Sequence, residues 1–62
     1  MCLAKVYVRT DTAEELVMEN VTHVVVNDGR VLLTSLFMET EELQGRITSV
    51  DLVKSKLVLE SA

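Results

Sequence analysis

The residue best suited to chemistry in this 62-residue chain is Cys2, the only cysteine. A lone thiol cannot form an intramolecular disulfide, and the paired Cys and His spacing of a structural zinc site is missing from the sequence. Two interpretations remain open at this point. Cys2 is either a small apolar residue ahead of the first strand or a thiol that binds a metal.

A cysteine at the chain terminus offers a metal more than one donor atom. Methionine aminopeptidase removes the initiator when the second residue is small, as Cys2 is. The freed α-amine and the thiolate would then close a five-membered chelate ring, and such nitrogen and sulfur donors suit nickel(II). A retained Met1 would replace the amine with a backbone amide that must lose its proton. A two-fold axis could join two half-sites around one ion.

The other titratable residues suggest no catalytic site. His23, the only histidine, lies among valines, and we expect it on the exposed face of a strand; pairing in an interface and metal ligation are the alternatives. The acidic cluster of Glu39, Glu41 and Glu42 is typical of a solvated connection rather than a cation site. One histidine predicts no catalytic triad, and two isolated glycines form no phosphate-binding loop. The sequence therefore predicts that the protein is not an enzyme.

Composition indicates one small domain over residues 1–62 that gains stability by pairing. Apolar residues make up 48% of the chain, and Tyr7 and Phe37 are the only aromatics. The core must therefore be built from Val, Leu and Ile. A chain this short buries only about 60% of its unfolded surface. We expect a homodimer, because symmetric pairing covers the aliphatic surface left over.

The charge balance argues against two classes of partner. Ten acidic and six basic residues give a net charge of −4, whereas nucleic acids require a basic surface. An anionic membrane surface is disfavoured for the same reason. No apolar run approaches the roughly 20 residues of a membrane span, and the pattern of a signal peptide is missing. We expect a cytoplasmic protein, whose thiol stays reduced.

Short β-rich runs separated by polar turns predict the fold. The run at residues 3–9 alternates, with Ala4, Val6 and Val8 on one face. Further strands are predicted at residues 15–18 and 21–26. Asn27, Asp28 and Gly29 then form the clearest hairpin signal. The return strand, residues 30–37, is almost continuously apolar, which predicts burial on both faces and a contribution to a shared dimer core.

The last third of the chain predicts a terminal hairpin. Residues 38–43 are expected to form one helical turn or an irregular crossing. Residues 46–52 and 56–60 follow as strands joined around Lys54 and Ser55. Met18 and Met38 are expected in the core or an interface. Five to six strands in so short a chain predict an all-β, antiparallel, SH3-like barrel.

The order of these features resembles the CooT family, small nickel-binding proteins linked to maturation of carbon monoxide dehydrogenase. The resemblance covers the whole chain: the "MCLAKVY" start, "LVMENV" at 16–21, "LTSLF" at 33–37 and "GRITSVDL" at 45–52. It implies a homodimer of small β-barrels that binds nickel through Cys2. Many relatives have glycine after the Leu-Phe pair, where this chain has Met38.

Together these observations predict a nickel-binding accessory protein, similar to a metallochaperone. It would deliver or store Ni(II) for a nickel enzyme such as carbon monoxide dehydrogenase, with Cys2 as the metal ligand at a dimer interface. Its partners would be a second copy and the nickel enzyme or its maturation factors. The alternatives are a metal-free interaction module and, less favoured, an RNA-binding protein.

Overall fold

The computed structural model describes residues 3–61, which form five β-strands. The strands are β1 (Ala4–Arg9), β2 (Glu14–Asn27), β3 (Arg30–Ser35), β4 (Thr40–Asp51) and β5 (Lys56–Ser61). The all-β prediction is confirmed. The runs predicted at residues 15–18 and 21–26 are parts of one strand, β2, so there are five strands rather than six.

The strands follow one another around a closed barrel in chain order. Consecutive strands pair antiparallel, whereas β1 and β5 close the barrel in parallel, with Val6 opposite Leu57. Four of the five strand pairs are antiparallel, as the sequence predicts, and only the closing pair is parallel. An up-and-down order with an odd number of strands leaves the first and last pointing the same way, so the closing pair must be parallel.

Two long strands bend so that each pairs with two different neighbours. Residues 14–21 of β2 pair with β1, and residues 21–27 pair with β3. The bend lies at Asn20, whose φ is 58°, and at a register shift between Val21 and His23. The β4 strand pairs first with β3 and then, from Gly45 onward, with β5. Such irregularities let a few strands enclose a core.

The two predicted hairpins are present. Asp28 and Gly29 both have positive φ, 51° and 80°, which is the backbone of the tight turn that Asn-Asp-Gly predicts. The β4–β5 hairpin is closed by Asp51, whose Oδ1 accepts hydrogen bonds from the backbone amides of Val53 and Lys54, each at 3.0 Å. Ser55 then adopts a φ of 51° before β5 begins.

The core is aliphatic and draws on every strand. Its enclosed members lie on β1, β2, β3 and β5, and along β3 and β5 they alternate, as period-2 patterning requires. Partly buried side chains from β2 and β4 complete it. The buried cluster consists of Val6, Val21, Val31, Leu33, Leu57 and Leu59.

The prediction that residues 30–37 form a strand buried on both faces is wrong for the barrel itself. In β3 the side chains of Val31 and Leu33 point inward and are fully buried, whereas Leu32 is 39% exposed. The strand also ends at Ser35, so Phe37 lies in a turn and is 68% exposed. A single-layered barrel has one interior, and the apolar residues of the outer face therefore remain on its surface.

The turn between β3 and β4 is organised around the buried side chain of Ser35. Its Oγ accepts hydrogen bonds from the amides of Phe37 at 3.1 Å and Glu39 at 3.2 Å. The turn ends before Thr40, where β4 begins. The predicted helical turn or irregular crossing over residues 38–43 is therefore wrong, because most of that segment is strand. Met38 is 80% exposed rather than part of the core.

Met38 occupies a backbone conformation that favours glycine, with a φ of 66°. The left-handed region costs a residue with a Cβ about 1–2 kcal/mol, while glycine loses about 0.5–1 kcal/mol through chain entropy. We therefore expect Met38→Gly to stabilise the fold by about 0.5–1 kcal/mol in urea unfolding. A loss of about 1 kcal/mol or more would contradict this account of the turn.

Lys56 joins three strands on the outer surface of the barrel. Its Nζ lies 2.9 Å from Glu14 Oε1 on β2 and 4.8 Å from the centre of the Tyr7 ring on β1. The hydrogen bond to Glu14 raises the pKa of Lys56 above its ordinary value. A lysine whose pKa is raised by folding stabilises the folded state at pH values below its ordinary pKa. This contribution is therefore present at neutral pH and is lost at strongly alkaline pH.

Candidate metal centre

The predicted ligand Cys2 lies outside the described residues, but the place where the chain enters the barrel is defined. Ala4 begins β1 opposite Val21 of β2. On its other side, the Lys5 amide donates a hydrogen bond to the Ser55 carbonyl at 2.9 Å. Leu3, just ahead, is half-buried. The chain is thus fixed between the bend of β2 and the β4–β5 turn from its fourth residue.

His23 is exposed on β2, as predicted, two residues beyond the partner of Ala4. Its Nδ1 lies 3.0 Å from the hydroxyl of Thr22, and that hydroxyl donates to the Thr34 carbonyl at 3.3 Å. A hydroxyl carries one proton, so when that proton goes to the Thr34 carbonyl, Nδ1 is the donor in its contact with Thr22. In this tautomer Nε2 carries the lone pair, and no hydrogen bond to it is found within residues 3–61; neutral imidazole nitrogen is a common metal ligand. Sequence reasoning missed Thr22, although a hydroxyl residue beside the histidine was visible.

Two exposed aliphatic side chains lie near His23 on the outer surface of the sheet. His23 pairs with Thr34, and Val25 pairs with Leu32, on the side of the β2–β3 ladder that faces away from the core. Val25 is 54% exposed. We call these four residues the outer β2–β3 face. It lies beside the segment of β2 that the start of β1 approaches.

The acidic cluster is solvated, as expected, but only part of it is a connection. Glu39, Glu41 and Glu42 are all exposed. Glu41 and Glu42 belong to β4 and pair with Leu33 and Leu32. Among residues 3–61, no group of three His, Cys, Asp or Glu side chains is arranged to hold a metal ion.

Several basic residues on the barrel surface pair with acidic ones. Ion pairs join Lys5 to Glu19 at 3.9 Å, Arg46 to Glu60 at 3.2 Å and Lys56 to Glu14 at 2.9 Å. Half of the six basic side chains thus have a carboxylate partner. Such a surface offers little of the unpaired positive charge that phosphate groups require.

Comparison with known proteins identifies the family. The model of the family described as CO dehydrogenase accessory protein CooT matches residues 1–60, which include Cys2. The chain belongs to the CooT family. The resemblance found in the sequence is thereby confirmed over almost its whole length.

A solved CooT structure has the same fold. The crystal structure of a Carboxydothermus hydrogenoformans protein provisionally named CooT superposes with a TM-score of 0.91. The two chains are 24% identical, and the match covers 98% of each. A search of curated proteins finds no match.

CooT is an accessory protein of CO dehydrogenase rather than an enzyme, which confirms the prediction of a non-enzymatic role.

Residues 3–61 contain no helix that is long and apolar enough to cross a membrane.

Proposed function

We propose that this CooT protein binds nickel(II) through Cys2 and stores or delivers it for the maturation of CO dehydrogenase. The observation that carries the proposal is the family match, because it extends over the Met-Cys start. Nickel is the cargo in this role and not a resident cofactor. The role belongs in the cytoplasm, where a lone thiol stays reduced and able to bind metal.

The donor atoms near the start of the chain fit nickel chemistry. Cys2 supplies a thiolate, and its own backbone or α-amine supplies a nitrogen, a set that suits square-planar nickel(II). His23 is the candidate for an added ligand, since its Nε2 carries the lone pair in that tautomer and its strand lies beside the start of β1. Thr22 would then orient the imidazole, as outer-shell partners of metal ligands commonly do.

We propose that two chains pair through the outer β2–β3 face. Val25 and Leu32 give this face an exposed aliphatic centre, which a two-fold axis would bury against its own copy. The same axis would bring both His23 residues and both chain starts to one region. Two half-sites could then share a single nickel ion.

A charge placed in the centre of the outer β2–β3 face should prevent pairing. We expect Leu32→Glu to sediment as a folded monomer at micromolar concentrations at which the wild type sediments as a dimer, because two buried carboxylates would face each other. Val53→Glu is the matched control, since Val53 is 96% exposed and lies on the β4–β5 turn, outside the outer β2–β3 face. A wild-type monomer, or a Leu32→Glu dimer, would contradict the proposed interface.

Nickel titration tests the function directly. We expect a sulfur-to-nickel charge-transfer band in the near ultraviolet that saturates at about one ion per two chains. Binding should weaken as pH falls, because protons compete with the metal for the thiolate and nitrogen donors. Absence of the band, or binding that does not change between neutral and mildly acidic pH, would contradict thiolate ligation.

A further inference from the structure

The turn between β3 and β4 presents three consecutive apolar side chains to solvent. Leu36, Phe37 and Met38 are 48%, 68% and 80% exposed. We call these three residues the apolar tip. Scattered exposed hydrophobic residues are ordinary, but a contiguous group at the end of a turn is typical of an interaction site. Phe37 is also one of only two aromatic residues in the chain.

The apolar tip is held in one conformation by its backbone. In addition to the two hydrogen bonds at its Oγ, Ser35 makes two through its backbone. Its carbonyl accepts one from the Met38 amide at 3.0 Å, and its amide donates one to the Glu39 carbonyl at 2.9 Å. The Leu36 amide donates to the Asn20 carbonyl at 2.7 Å, which ties the tip to the bend of β2. A preorganised anchor loses little entropy on binding.

Met38 is a poor choice for stability alone at this position. It combines a φ of 66° with a side chain that buries little surface. The other non-glycine residues with positive φ are Asn20, Asp28 and Ser55, among residues 3–61, and all are polar. A strained, exposed methionine indicates a site retained for contact with something else.

The groove beside the apolar tip is lined by both acidic and apolar side chains. Glu39 and Glu41 line it from β4 and the turn, and Glu19 lines it from β2, where it also lies 3.9 Å from the Lys5 ammonium. Val17, Met18 and Phe37 are its apolar lining residues. A second copy seated here would bring like charges together, whereas a basic surface would be attracted.

We propose that the apolar tip docks a partner protein whose contact surface has an apolar pocket bordered by Lys or Arg. Phe37 and Met38 fill the pocket, and the carboxylates of Glu39 and Glu41 pair with the basic rim. This recognition surface adds to the proposed function. It rests on that function, because the delivery of nickel requires a recipient protein. The tip shares no residue with the proposed nickel site, so we expect docking without bound nickel.

Photo-crosslinking in the native host tests this docking. A benzophenone amino acid replaces Phe37 in the full chain, and the crosslinked product is mapped by mass spectrometry. We expect one protein other than the chain itself, joined at an apolar site flanked by Lys or Arg. The same product should form in a Cys2→Ser background, which separates docking from nickel binding. A benzophenone at Val53 is the control position and should not give it.

Reconstitution with the purified crosslinked protein completes the test. We expect Phe37→Ser to weaken binding by about 30-fold and Glu39→Lys by about tenfold, with binding weakened further by salt. Val53→Ser should bind as the wild type does. Circular dichroism confirms that each variant is folded, since all three side chains are exposed.

Three results would overturn the inference. These are a product formed only with a second copy, no product from position 37, or equal binding by Phe37→Ser and the wild type. If nickel titration fails while the crosslink forms in the Cys2→Ser background, the metal role fails and the docking surface stands.

Discussion

Cys2→Ser is expected to lower the affinity for nickel(II) by about 100-fold or more. A serine hydroxyl stays protonated near neutral pH and is a poor ligand for a late transition metal, whereas a thiolate is a strong one. Loss of an outer-shell partner alone typically costs 10–100-fold in metal affinity, and loss of a direct ligand should cost at least as much. Competition of each protein against a chelator of known affinity gives the ratio.

His23→Ala is the companion variant in this comparison. We expect a decrease of about tenfold, smaller than that for Cys2→Ser, because the imidazole would supplement a site that the chain start creates. His23 is exposed, so its removal should leave the barrel folded. Equal affinity of Cys2→Ser and the wild type would remove the basis of the proposed site, whatever His23→Ala does.

Gly45→Ala is expected to destabilise the fold by about 3 kcal/mol or more. A Cβ at this position would lie 2.3 Å from the backbone oxygen of Glu60, and the φ of 150° is itself unfavourable for a residue with a side chain. The clash is with backbone, so relief requires β4 and β5 to separate. Overpacking and backbone strain each cost about 1–3 kcal/mol, which is a large part of a small domain's stability.

Gly29→Ala is the matched control for this effect. Gly29 also has positive φ, but nothing lies within 4 Å of a Cβ built there. We expect it to cost about 0.5–1 kcal/mol, the left-handed penalty less the chain entropy that glycine loses on folding. Urea unfolding of both variants separates the two causes. A Gly45→Ala protein as stable as Gly29→Ala would show that β4 and β5 accommodate the added carbon.

Local sequence signals predicted the strands where alternation or turn chemistry was strong. The alternation of Ala4, Val6 and Val8 identifies the inward face of β1, and Asn27-Asp28-Gly29 identifies the β2–β3 hairpin. The acidic run containing Glu41 and Glu42 was misassigned because solvated glutamates have low strand propensity. Its place in β4 depends on pairing with Leu32 and Leu33, which no local pattern shows.

The orientation of β3 illustrates a different limit of sequence patterns. A nearly continuous apolar run carries no period-2 signal, so burial on both faces was expected for residues 30–37. The barrel has only one interior, and Leu32 therefore faces outward. Similarly, the number of strands depended on Asn20, whose positive φ bends β2 without ending it. A bend of this kind and a turn between two strands have similar sequences.

The candidate ligands were predictable by type but not by surroundings. Cys2 was identified because it is the only thiol and lies next to a terminal nitrogen. His23 was expected to be exposed, and it is. The position of His23 beside the start of β1 follows from the pairing of Ala4 with Val21. Its tautomer follows from the contact between its side chain and Thr22.

X-ray absorption at the nickel K-edge tests the central claim most directly. It should be recorded on the nickel-loaded wild type and on nickel-loaded Cys2→Ser, because the chain also contains methionine sulfur. We predict a sulfur shell around nickel in the wild type that is replaced by nitrogen and oxygen in Cys2→Ser. A wild-type spectrum with nitrogen and oxygen alone, or a sulfur shell that survives in Cys2→Ser, would contradict nickel binding through Cys2.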